Sequence, residues 1–326
     1  MLGSRRRRFG LAVGVAIVLI VALCLAAWLP LTRAPTPTPT VTLPPTVTSP
    51  TPTIASTPAP SAVLIGASDI CRLTAIDKAR LTAAQVEAEP SATVFTVGDN
   101  SNDSGTADQY ETCFGATWGA FKARIRPTAG NHDQLTSHGA PYYAYFGSAA
   151  GPVGKGYYSY DLPANWHVIV LNAVCSEVGG CEPGSPQETW LRADLAANRG
   201  KHFLAMWHIP EFSSGEHGNS TVYLAWWLDL YDAGADIVLN GHDHDYERFA
   251  PQSPAGLADA DGIREFVLGT GGAGQRSFAT VRANSEVRHS GSYGVLKLTL
   301  REHSYAWQFV STGGSFADSG ETATHS

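Results

Sequence analysis

Asp236-Ile237-Val238-Leu239-Asn240-Gly241-His242-Asp243-His244 (DIVLNGHDH, residues 236–244) is an apolar run that ends on a glycine and two histidines. The run Asp236–Asn240 reads as a buried strand, and Gly241 as the tight turn that ends it. Two imidazoles at i and i+2 beyond such a turn can converge on neighbouring ions. A single Asp or His after a strand is ordinarily a turn or cap residue, so the reading depends on whether the pattern recurs.

It recurs four times. Ala62 to Gly66 is an apolar run that ends near Asp69. Thr93 to Val97 runs into Gly98-Asp99-Asn100, and Ile125 to Ala129 into Gly130-Asn131-His132-Asp133. His202 to Trp207 ends at His208. Helical periodicity separates several of these runs, at Leu73 to Glu89, Pro186 to Asn198 with Ser185 as N-cap, and Thr221 to Asp232. Trp166 to Leu171 is a further strand. Glu265 to Gly269, Gly294 to Leu300 and Tyr305 to Val310 are strands without helices between them. This alternation predicts an α/β domain with buried sheets. In open α/β sheets, ligands bind outside the carboxyl ends of the strands, where these polar residues fall.

Two carboxylates, one amide oxygen and three imidazoles suit borderline cations such as Fe, Zn or Mn. Asp69, Asp99, Asn131, His208, His242 and His244 would hold two such ions if one carboxylate is shared. A two-metal site clamps the attacking and leaving oxygens of an in-line displacement and lowers the pKa of a bridging water. A phosphate ester is its natural substrate. The glycine string Gly269 to Gly274 also satisfies G-x-G-x-x-G, but no helical pattern follows it, so it reads as a turn at a pocket rim rather than a dinucleotide site.

The strings GDN at Gly98, GNHD at Gly130, WHIPEFSSGEHG from Trp207 and GHDHDYER from Gly241 resemble those of the calcineurin-like metallophosphoesterases. GTGG at Gly269 and the Tyr246-Glu247-Arg248 ending are similar to the purple acid phosphatase branch. The resemblance covers nearly all of residues 62–326. It implies a four-layer sandwich of two mixed β-sheets packed together and flanked by helices. It implies that Asp69, Asp99 and His244 hold one metal, and that Asn131, His208 and His242 hold the second with Asp99 shared. It gives His132 the role of contacting phosphate and protonating the leaving group, Asp133 that of orienting His132, and His217 that of binding substrate. The implied activity is hydrolysis of phosphate monoesters, or of diesters, by a metal-bridging hydroxide attacking phosphorus in line. A non-catalytic binding protein displayed on the same fold is the alternative. Three positions depart from the family pattern: Ser68 precedes Asp69, Cys71 stands where relatives place a His, and Asn102 stands where the purple enzymes place the tyrosine that ligates iron.

The rest of the chain sets the context. The first 61 of 326 residues hold five Arg and no Asp or Glu, which leaves 17 basic and 29 acidic residues, a formal −12, for the remainder. That charge argues against a nucleic-acid-binding surface, while bound metals would still attract a phosphorylated small-molecule substrate. Arg5 to Arg8 precede an uncharged apolar stretch, Leu11 to Leu29, long enough to cross most of a hydrocarbon core of about 30 Å. Residues 1–33 are therefore expected to be a signal anchor with a cytoplasmic start, or a secretion signal if cleaved. Residues 34–61, rich in Pro and Thr, are expected to be a stalk that carries the catalytic domain, 62–326, outside the cytoplasm. Four cysteines lie in that domain, an even count that suggests two disulfides in an exported chain. The short spacing of Cys175 and Cys181 suggests one, which leaves Cys71 for Cys113, unless Cys71 is a metal ligand.

Overall fold

The computed structural model describes residues 59–325. The expected anchor at 1–33 and nearly all of the stalk at 34–61 lie outside the described residues. Among the described residues no helix is long and apolar enough to cross a membrane.

Two mixed sheets form the frame. The first runs in the order β13-β12-β11-β1-β2-β3, from Asp318–Ala323, Ser304–Ser311, Gly294–Arg301, Ser61–Ala67, Thr93–Val97 and Ile125–Thr128. The second runs β10-β8-β9-β7-β6-β5-β4, from Ser285–His289, Tyr246–Phe249, Arg264–Leu268, Ile237–Asn240, His202–Met206, Trp166–Val170 and Tyr158–Leu162. β1, β2 and β3 are parallel, as are β5, β6, β7 and β9. The outer strands pair antiparallel.

The sheets pack face to face through Leu64, Phe95, Val97, Leu204, Met206, Leu239 and Leu296, all fully buried. The opposite face of the first sheet is covered by α1 (Ile76–Glu87), which buries Ala79, Thr82, Ala83 and Val86, and by α2 (Ala140–Phe146). The opposite face of the second sheet meets α3 (Pro186–Ala197) and α4 (Leu224–Asp232). On α4, Trp226 and Trp227 are core residues, edge-on to Trp207 at ring centroids of 5.8 and 6.3 Å. Ser185 caps α3 by accepting from the Glu188 amide, with Pro186 as the first helical residue. This is the four-layer sandwich expected from the sequence.

Several boundaries differ from expectation. Leu73–Ala75 and Thr221–Tyr223 are 3₁₀ turns leading into shorter α-helices. β4, β8, β10 and β13 were not anticipated. Cys71 is bonded to Cys113 and Cys175 to Cys181, which removes Cys71 from the pool of metal ligands.

His167 on β5 sits between two carboxylates, Nδ1 at 2.6 Å from Asp161 Oδ1 and Nε2 at 2.8 Å from Asp194 Oδ2. Lys201 also binds Asp161, and Ser159 binds Asp194. Burial pushes the imidazole pKa down, but the two carboxylates outweigh it and hold it above its ordinary 6.5. A raised folded-state pKa stabilises the fold below the unfolded value and loses that contribution as pH rises through the folded one. The melting temperature of the wild type should therefore fall, relative to His167→Gln, as pH is raised from about 6.5. Parallel curves for the two proteins would contradict this.

Candidate metal centre

Five parallel strands deliver the polar residues to one end of the sandwich. Asp69 follows β1, Asp99 follows β2 and Asn131 follows β3 on the first sheet. His208 follows β6, and His242 and His244 follow β7 on the second. The chain turns sharply at each site. Asp69, Asp99 and His242 adopt φ of 56°, 50° and 69°, left-handed conformations that cost a non-glycine residue about 1–3 kcal/mol and that concentrate at functional sites. The close approach also demands glycine. A Cβ on Gly98 would lie 2.5 Å from His208 Nδ1, and one on Gly130 would lie 2.1 Å from Asp99 Oδ1.

The side chains converge. Asp69, Asp99 and His208 each place a ligand atom within 4.8 Å of the others. His208 Nε2 is 3.3 Å from Asp99 Oδ2, and His244 Nε2 is 3.1 Å from Asp69 Oδ1. The His242 ring lies 5.1 Å from that of His208. His208 donates from Nδ1 to the Val97 carbonyl at 2.8 Å, which aims Nε2 at the carboxylates. Ser68, the departure before Asp69, binds the Val97 and Gly98 carbonyls and fills the space beside Gly241.

Does this set suit a metal pair? Among the described residues the buried Asn131 Oδ1 has no hydrogen-bond partner, and His208 Nε2 has none beyond its 3.3 Å approach to Asp99 Oδ2, an expensive state unless something else satisfies them. Carboxylate, imidazole and amide oxygen are the donors that borderline divalent ions prefer. The residues fit. Charge agrees with geometry. Burial pushes the Asp69 carboxyl up, but His244, His208 and His242 outweigh it and hold it well below the usual carboxylate range. Burial pushes His208 down, yet Asp99 and then Asp69 lift it to about 9. Burial, together with His208 and His217 nearby, lowers His242 to about 4. The centre is thus rich in anionic oxygen and draws positive charge toward it.

Asn102 is more than an absent tyrosine. It is fully buried, and its Nδ2 donates to Asp69 Oδ1 and Asp99 Oδ2, each at 2.9 Å, tying the two aspartates together. His132 donates its backbone N–H to Asp99 Oδ1 at 2.9 Å, and the His242 amide donates to Asp69 Oδ2 at 2.9 Å.

The expected hydrogen bond from Asp133 to His132 is corrected. Among the described residues Asp133 accepts from the amides of Asn100, Ser101 and Gly130, from Asn100 Nδ2 and from the Tyr110 hydroxyl. It is a buried staple that holds the Asp99 loop to the Asn131 turn. His132 instead has Nδ1 2.8 Å from the Asp103 carbonyl, which leaves Nε2 as the free nitrogen, 3.8 Å from Asp99 Oδ2. A backbone carbonyl has no signature in sequence, so this partner was not foreseeable.

The loop after His208 is fixed from beneath by three buried carboxylates. Glu265 accepts from the Phe212 amide, Glu247 from the Ser214 amide, and Asp243 from His217 through both its amide and Nδ1. The His217 ring stands 4.2 Å from that of His242, so it lies at the rim of the centre. Asp243 stood between the two diagnostic histidines but was passed over. Its function depends on a loop some thirty residues away in sequence.

The family described as calcineurin-like phosphoesterase matches residues 68–246. Purple acid phosphatase 18 of Arabidopsis thaliana is 28% identical over 168 residues, 46% of this chain and 37% of that protein. The structure of a purple acid phosphatase from yellow lupin seeds superposes with a TM-score of 0.66 at 17% identity, covering 81% of this chain and 54% of that one. GAP50, described as the anchor in the inner membrane complex of Plasmodium, superposes at 0.64 with 16% identity, covering 82% and 90%. The chain thus spans little more than a third of the first curated relative and about half of the lupin protein.

Proposed function

The chain belongs to the calcineurin-like phosphoesterase family, and from that premise we propose that it is a metal-dependent hydrolase of phosphate esters. The observation that carries the reading is the convergence of the buried residues Asp69, Asp99 and His208, whose ligand atoms all lie within 4.8 Å of one another. A role in display alone would give two buried carboxylates and an imidazole no reason to converge. Asp69, Asp99 and His244 would hold one ion, and Asn131, His208 and His242 the other, with Asp99 shared. When bound, a pair of Fe, Zn or Mn ions supplies a nucleophilic hydroxide at neutral pH and neutralises phosphoryl charge.

The chain's own residues do the rest. His132 gives its Nδ1–H to the Asp103 carbonyl, which leaves Nε2 open toward the departing alkoxide; an imidazolium ring would pass its Nε2 proton to that oxygen. Asp133 and Tyr110 support the turn on which His132 sits. Asn102 orients both aspartates. The two disulfides suit an oxidising compartment. With the basic apolar start and the Pro/Thr stretch, they favour a catalytic domain held outside the cytoplasm.

The test is turnover by purified protein loaded separately with Mn, Zn and Fe, on a monoester and a diester. His132→Ala should cost about 10²–10⁴-fold in kcat. Absence of turnover with every metal, or turnover indifferent to His132→Ala, would overturn the hydrolase reading.

A further inference from the structure

Resemblance gave His217 the substrate contact, but its hydrogen bonds leave it nothing to donate. Its Nδ1 lies 2.8 Å from Asp243 Oδ1, and its Nε2 lies 3.0 Å from Arg276 Nη1. A guanidinium can only donate. Nε2 is therefore the acceptor, and the ring proton sits on Nδ1, where Asp243 takes it. Asp243 is fully buried, and its second oxygen accepts from the Ser213 hydroxyl. The chain of contacts runs from a fixed carboxylate through an imidazole to an arginine at the mouth of the centre.

Arg276 is held from both ends. Its backbone amide donates to the carbonyl of His244 at 3.0 Å. At the side-chain end, Nη1 meets His217 and, at 3.5 Å, the well-exposed Glu216. Among the described residues Nη2 and Nε have no partner, and about a third of the side chain is exposed. The two nitrogens belong to a guanidinium that touches an imidazole whose ring is 4.2 Å from that of His242. A planar fork of free donors suits two oxygens of one phosphoryl group.

We infer that Arg276, mounted on His217 and Asp243, grips the phosphoryl group of the substrate beside His242 and favours dianionic monoesters over monoanionic diesters. The substrate class rests on the hydrolase reading; the anion site does not. Arg276 is the binding residue, and His217 is a positioning residue.

The experiment uses the full metal-loaded chain with inorganic phosphate as probe, measured by calorimetry, alongside kcat/KM for a nitrophenyl phosphate monoester and the matching diester. Arg276→Ala should weaken phosphate binding by about tenfold or more and lower monoester kcat/KM by a similar factor, with a diester loss no more than about a third as large. Metal content and melting temperature should be unchanged, and Arg276→Lys should recover part of the affinity, because it restores charge without the fork. His217→Ala should also weaken phosphate, and the double variant should be no weaker than Arg276→Ala alone, since both act through one group. Phosphate affinity within twofold of wild type in Arg276→Ala, equal losses on monoester and diester, or additive losses in the double variant would each overturn the inference. Arg276-dependent phosphate binding without turnover would sustain the anion site while removing the hydrolase reading.

Discussion

Asp99→Asn should leave a folded domain that has lost phosphoester turnover by roughly 10³-fold or more, about 4 kcal/mol of transition-state stabilisation. The substitution keeps the volume and keeps Oδ1 as acceptor for the His132 amide. It replaces Oδ2 with an NH₂ group that faces two nitrogens: Asn102 Nδ2 at 2.9 Å and His208 Nε2 at 3.3 Å. The oxygen proposed to be shared between two ions becomes a donor, and one negative charge leaves the centre. Metal analysis should find two ions per chain in the wild type and well under two in the variant, with an unchanged circular dichroism spectrum. A variant that retains two ions and full turnover would remove Asp99 from the bridging position.

The second large effect is on stability. Removing the Cys71–Cys113 bond as the double Cys→Ala variant frees a closure spanning 42 residues, a loss of about 4 kcal/mol by loop entropy. The Cys175–Cys181 bond closes only 6, and its removal should cost about 2 kcal/mol. The first bond also sits against the centre. Cys71 is buried two residues beyond Asp69, with its amide on the Asn100 carbonyl and its own carbonyl on the Asn102 amide. Cys113 lies on the turn that presents Tyr110 to Asp133. Urea unfolding of the two double variants should rank them in that order. An equal loss, or one below about 1 kcal/mol for the first, would show that the denatured chain is already restrained.

How much of this could be read in advance depended on where the information sits. The strands before the ligands were legible because buried parallel strands are short apolar runs with turn residues at their ends. β2 matches its expected span, Thr93–Val97, to the residue. β8 was hidden because Glu247 and Arg248 look like surface residues. Both are buried, Glu247 beneath the Ser214 amide and Arg248 against Asp318 some seventy residues away in sequence. The six candidate ligand positions could be named through their repeated placement at strand ends, and three of them, Asp69, Asp99 and His208, converge in the fold. The partners that position these and the neighbouring residues were not legible, because they are backbone carbonyls, a fully buried Asn102 and, on His217, an arginine in a glycine-rich turn. None of these has a local pattern. Asp133 shows the opposite risk: its place beside His132 in sequence suggested a contact that the fold spends on the loops behind it.

Asp69, Asp99 and Asn131 stand on one sheet, and His208, His242 and His244 on the other. Any cation pair held by all six therefore acts as a rivet across the seam of the sandwich. Its affinity and the docking of the two sheets become one equilibrium, coupled through mass action. Force or denaturant that shears the sheets apart must release the ions, and a chelator acts on the architecture as much as on the chemistry.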